Sequence, residues 1–357
     1  MQTLLVLVAV LPLALPQGET APKSAIRIEA LDAAIERGAA WLRARQQPNG
    51  AFAPESNRDA CTVALTAMAA WGLNEPEPRC IDAQAAESAA RFLLSHRRED
   101  GGIYDPARGL PVYTSGVAAR ALRTLGKRED WPELARGLAD AELFTYHQGA
   151  PESVIDAAPP GDVSAAKSSE AARELLDKTP AADEAKRKAL EFLARSRRDS
   201  VRLPSRIRSV PGARDTSEIG PFSYDDLLPM VYFDLAPEQQ IALRISAALA
   251  AYYTHEHNPD LTKRYGAAGF SPGTQGLYYY YYVAAKALTT FHTRELVTAD
   301  GAKHDWAVEL ATRLVRLQRD DGAWANSDNA WWESEPVLAS SYALLTLKLC
   351  RAELAKR

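Results

Sequence analysis

Two adjacent carboxyls, Asp225 and Asp226, stand in the run Ser223-Tyr224-Asp225-Asp226 at the start of an apolar helix pattern. A carboxylic pair sharing hydrogen bonds can act as an unusually strong proton donor. The same residues in a first helical turn would also favour the helix dipole. A second group, Tyr278 to Tyr282, sets five tyrosines in a row. On a helix they fan out in every direction, so some of them, with Tyr278, Tyr281 and Tyr282 as the candidates, would face an enclosed hollow. There an aromatic face lines an apolar pocket or steadies a cation, whereas in a packed core it simply fills space. Trp331, Trp332 and Glu333 form a third group, bulky aromatics on a polar loop and so placed to contact a ligand or partner at a rim.

Other chemistry is thin. His255 and His257 flank Glu256 in THEHNPD, two imidazoles with no partner cluster in sight, and a loop before Pro259 accounts for them. Cys61 could pair with Cys80 and leave Cys350 over, or all three could stay as thiols. No Ser-His-Asp order or glycine-rich phosphate loop stands out. No metal or cofactor is therefore assigned.

Composition narrows the class. The 357 residues carry 42 Lys+Arg against 46 Asp+Glu, a net charge of −4, with 46% hydrophobic and 25% charged residues. That is an ordinary globular balance, which excludes a disordered tail, a collagen-like fibre and a polytopic membrane protein. A pI near 6.0 gives no basic face for nucleic acid.

The elements that must position these residues repeat. The apolar run Leu4–Leu15 is shorter than the roughly 20 residues of a membrane span. It reads as a signal segment over 1–18, which predicts export to a periplasmic or extracellular location and no transmembrane domain in the mature chain. From Ile28 a helical stripe (Ile28, Leu31, Ile35, Gly38, Leu42) runs into QQPNGAF, and near the C-terminus Trp306, Leu310, Leu314 and Leu317 run into QRDDGAW. RREDGGI repeats the turn with Arg97 in the glutamine position, and Gly50 and Gly101 lie 51 residues apart. Each turn leads to a second helix, CTVALTAMAAW, TSGVAARAL or SYALLTL, which is small or apolar on nearly every face and opens on a residue able to cap it. Weaker units fill the middle, through Trp131–Leu176, Ala185–Phe233 and Gln239–Leu288. Six hairpins of about 54 residues span Ile28–Cys350, and no period-2 strand pattern interrupts them. Second helices this apolar are better buried in a ring than in an open solenoid. The expected fold is all-α, an (α/α)6 toroid over 26–350, with a short tail at 351–357.

QQPNGAF, RREDGGI and QRDDGAW, the block QGLYYYYYVAAKAL, His304-Asp305-Trp306 and NAWWESEPVLASSYALLTL resemble the prenyltransferase/squalene-cyclase repeat family. The resemblance covers essentially the whole mature chain and implies a barrel around a central cavity that, in the enzymes, holds an isoprenoid chain. It implies a cyclase acid at Asp225 and Asp226, the last two positions of an Asp-x-Asp-Asp motif, with Ser223 in place of the first aspartate. Asp59-Ala60-Cys61 is similar to the zinc-binding Asp-x-Cys of protein prenyltransferases, but no third ligand accompanies it. The polycyclising relatives use two barrels, whereas this chain has room for one. The expected partner is an apolar, isoprenoid-like small molecule. The alternatives are a non-catalytic exported scaffold for an envelope protein or glycan, and a carbohydrate-active (α/α)6 enzyme with paired carboxylates.

Overall fold

The computed structural model describes residues 26–57, 60–108, 111–125, 131–148, 249, 253–258, 274–298, 301–329 and 332–357. Eight helices lie among them: α1 (Ile28–Arg43), α2 (Thr62–Asn74), α3 (Ala83–Ser95), α4 (Pro111–Leu125), α5 (Pro132–Gln148), α6 (Leu277–Thr290), α7 (Trp306–Leu317) and α8 (Pro336–Leu354). Among the described residues the fold is all-α apart from one hairpin. Leu296–Val297 and Lys303–His304 pair antiparallel, a correction to the strand-free expectation; strands of two residues are too short to leave a period.

Two kinds of helix alternate, as the hydropathy pattern predicts. α1 buries a single stripe (Leu31, Ala34, Ile35, Gly38, Trp41, Leu42), and α7 does likewise. α2 and α8 are buried along most of their length. α8 packs against α6, α7, α1 and α2, and α2 in turn packs against α4. The last helix of the chain thus lies against the first two.

The turns explain this join. In each, an Asx side chain accepts a hydrogen bond from the N–H two residues on: Asn49 from Ala51 (3.1 Å), Asp100 from Gly102 (2.9 Å), Asp321 from Ala323 (3.0 Å). The turn glycines adopt positive φ, +87° at Gly50 and +94° at Gly322, where a side chain would be strained. From the first turn Gln46 Nε2 donates to Ala85 O of α3 (2.8 Å), and from the last Gln318 Nε2 donates to Ala34 O of α1 (2.9 Å). Arg97, in the equivalent place, pairs with Asp140 of α5. The last unit therefore docks on the first as the first docks on the second.

One expectation is corrected. The hydroxyls of the second helices do not cap them. α4 begins at Pro111, three residues before Thr114, and α8 begins at Pro336 with Glu335 as its cap. Other hydroxyls, each about one helical turn inside, brace the turns: Thr66 accepts from Phe52 N (2.9 Å), Ser115 from Ile103 N (3.0 Å) and Ser340 from Trp324 N (2.9 Å). A buried N–H must find an acceptor, and the turn strand has none of its own.

Candidate ligand site

Four helices, α2, α4, α6 and α8, bring aromatic rings together. Tyr279 and Tyr282 sit three residues apart on α6, hence on one face. Tyr342 of α8 lies edge-on to Tyr279 (5.6 Å between centroids) and stacks on Tyr282 (6.1 Å, 26°). Trp71 of α2 meets Tyr282 edge-on at 5.5 Å. Tyr113 of α4 reaches the same group through a 2.7 Å hydrogen bond between its hydroxyl and that of Tyr342. Trp71, Tyr282 and Tyr342 are buried, whereas Tyr113 and Tyr279 keep accessible surface. Burial nonetheless pushes the Tyr113 phenol up to about 12, and raises that of Tyr279 still further.

The five consecutive tyrosines divide. Tyr280 donates its hydroxyl to Thr254 O (2.9 Å) and Tyr281 to His255 O (2.7 Å), both in the loop before α6. Tyr278 turns toward the loop after α7, its hydroxyl 3.5 Å from Ala325 O. Of the predicted trio, Tyr282 joins the aromatic group, while Tyr278 and Tyr281 hold loops; successive helical residues diverge by about 100°, so the run cannot share one target.

Trp332 is half-buried with φ of +59°, an uncommon conformation for a bulky residue. Glu333, expected on an open rim, is instead 1% exposed. Its carboxyl accepts from Tyr278 N (3.2 Å), Tyr279 N (2.8 Å) and Asn326 Nδ2 (2.9 Å), and so fastens the final loop to the start of α6. Burial pushes it up to about 7, against the pull of those donors. Glu335, wholly buried, performs the complementary task toward the N-terminal unit. It accepts from the backbone N–H groups of Glu55 (3.0 Å), Ser56 (2.9 Å), Asn57 (2.9 Å) and Val337 (3.2 Å).

Asp225, Asp226, Trp331 and Asp59 lie outside the described residues. Cys61, Cys80 and Cys350 are free thiols, so the proposed Cys61–Cys80 pair is not formed. His255 does find neighbours the sequence did not reveal: its ring lies 3.5 Å from Glu309, which also holds His304 at 3.0 Å. Among the described residues no group of His, Cys, Asp or Glu could hold a metal ion, and no helix is long and apolar enough to cross a membrane. Sequence reasoning missed Trp71, Tyr113 and Tyr342 as site residues. Tyr342, a lone ring in a helix of small and aliphatic residues, carried the readable signal; Glu335 before a proline at the helix start was another.

No family model and no curated protein matches the chain. Solved structures do. The type II terpene cyclase MstE from Scytonema, in its apo form, aligns with a TM-score of 0.54 at 14% identity, over 92% of this chain and 100% of that one. An MstE variant in complex with geranylgeranyl dihydroxybenzoate, its substrate, aligns at 0.53 and 14% identity, over 93% and 99%. A protein from Actinoplanes aligns at 0.51 and 14%, over 90% and 99%. At this identity the likeness shows a terpene-cyclase-like helical fold.

Proposed function

We propose that this terpene-cyclase-like fold closes as an (α/α)6 toroid whose inner helices surround an aromatic hollow for an isoprenoid-like apolar ligand. The docking of α8 and the last turn on α1 and α2 supports closure. The observation that carries the ligand is the group Trp71, Tyr113, Tyr279, Tyr282 and Tyr342, drawn from four helices, with accessible surface left on Tyr113 and Tyr279. Aromatic faces suit both a prenyl chain and a cation formed from it. The isoprenoid complexes of MstE support the same class of ligand.

In the catalytic form of this reading, Asp225 and Asp226 supply the proton. The O–H bond breaks as a C–H bond forms at an alkene carbon, a carbocation develops under the aromatic rings, and loss of a proton ends the reaction. Export by the segment 1–18 belongs to the same proposal and would show as a purified native protein that begins after it. The test of binding is an organic extract of protein purified from its native host, analysed by mass spectrometry. An isoprenoid at near-stoichiometric yield is expected; an empty extract, together with no uptake of a fluorescent polyene, would overturn the reading. Asp225→Asn should abolish turnover of the extracted lipid and leave its binding intact, and unchanged turnover would remove the assigned acid.

A further inference from the structure

We infer that the paired phenols of Tyr113 and Tyr342 anchor an uncharged oxygen of the ligand, so that the site takes an oxygenated isoprenoid, with an alcohol or carbonyl, in preference to a bare hydrocarbon or a prenyl diphosphate. This rests on the hollow proposed above.

The two hydroxyls meet at 2.7 Å, brought together by helices that both pack against α2. Around them stand carbon surfaces: Tyr279 and Tyr282 against the Tyr342 ring, and Trp71 beyond. Polar atoms in such surroundings are costly unless they are hydrogen-bonded. A phenol carries one hydrogen and acceptor lone pairs. Whichever hydroxyl donates across the pair, the Tyr113 oxygen keeps either its hydrogen or a lone pair for a further partner. Tyr113 is also the half-buried member of the pair, whereas Tyr342 is buried, so the ligand oxygen is assigned to the Tyr113 side. An alcohol satisfies either arrangement of the pair, since it both donates and accepts.

Charge supplies the second discrimination. Helix N-termini ordinarily attract anions. Those of α6 and α8 already hold the buried carboxyls of Glu333 and Glu335. Glu333 is near enough to add to the rise that burial imposes on the Tyr113 phenol. Above about pH 7, where Glu333 is ionised, a diphosphate arriving beside Tyr113 therefore meets negative charge in a poorly screened setting, whereas a neutral oxygen does not.

The test is displacement of diphenylhexatriene from the full chain by geranylgeraniol, by its deoxygenated hydrocarbon and by geranylgeranyl diphosphate. The alcohol should displace the probe at about tenfold lower concentration than the hydrocarbon, the worth of one hydrogen bond in an apolar site, and the diphosphate should be weakest. In Tyr113→Phe/Tyr342→Phe the alcohol should fall to the level of the hydrocarbon, while the probe and hydrocarbon bind as before, which also shows that the variant is folded. Equal binding of alcohol and hydrocarbon by the wild type, a preference for the diphosphate, or discrimination that survives in the variant would each overturn the anchor. Failure of the wild type to bind diphenylhexatriene or any of the three compounds would remove the hollow itself and the anchor with it.

Discussion

The join between the last unit and the first can be measured with glycine-to-alanine substitutions that share a backbone strain and differ in crowding. Gly301, Gly101, Gly322 and Gly50 have φ of +83°, +89°, +94° and +87°. Alanine there costs about 1–2 kcal/mol from conformation alone. A Cβ at Gly301 would have nothing within 4 Å, so Gly301→Ala isolates that strain. At Gly101 the Cβ would stand 3.2 Å from Asp140 O, a tight contact that a small shift relieves. At Gly322 it would lie 2.7 Å from Arg37 O of α1, and at Gly50 2.0 Å from Ser88 O of α3. Both neighbours are helix backbone and cannot swing aside, which adds on the order of 1–3 kcal/mol of overpacking. Urea unfolding followed by circular dichroism at neutral pH should rank the losses Gly301→Ala, Gly101→Ala, Gly322→Ala, Gly50→Ala, from about 1 to about 4 kcal/mol. The decisive comparison is Gly322→Ala with Gly301→Ala. Equal losses would mean that the last turn is not seated on α1 in solution, and the argument for a closed ring would fail.

Glu333 should leave a trace in the pH dependence of stability. Its folded-state value, about 7 against an ordinary 4.5, means that the folded chain holds this proton after the unfolded chain has lost it. Its contribution is therefore full below about pH 4.5 and lost as pH rises through 7, a change on the order of 3 kcal/mol at most; titrated urea melts of wild type and Glu333→Gln should differ by a slope in that window. Lys348 has the opposite sign. It is wholly buried, it donates to Leu73 O (3.2 Å), and burial lowers it from 10.5 to about 8. Stability should rise from pH 8 toward 10.5 and be lost as pH falls back through 8, and Lys348→Met should flatten that rise in the same melts. Ser340→Ala leaves Trp324 N without its buried acceptor and should cost about 1–3 kcal/mol; a neutral result would show that the hydroxyl does not brace the turn.

Several features were legible because they are local. The stripe from Leu31 to Leu42 shows a helix with one buried face, and the uniform apolarity of Thr62–Leu73 shows one buried all round. The recurring Asn/Asp and glycine of QQPNGAF, RREDGGI and QRDDGAW show a turn, because few residues adopt positive φ cheaply. The residues that open these segments, such as Thr114 and Ser341, suggest caps by position, yet neither caps its helix, and the hydroxyls that matter are Thr66, Ser115 and Ser340. Their acceptor role depends on a turn strand 12 to 16 residues earlier in the chain.

The chain's own pattern determined the recurring glycine turn and the split between a half-solvated and a buried helix, since each follows from turn chemistry and from hydropathy along a single helix. Only the tertiary structure decided that Tyr279 and Tyr282, among five identical neighbours, meet Tyr342, Trp71 and, through Tyr342, Tyr113. It also decided that Glu333 and Glu335 are buried fasteners to opposite sides of the last unit. A run of one residue type has no period, and a carboxylate on a polar loop looks solvated until its partners are known. Those partners lie 54 and 279 residues away in sequence, where only packing can bring them.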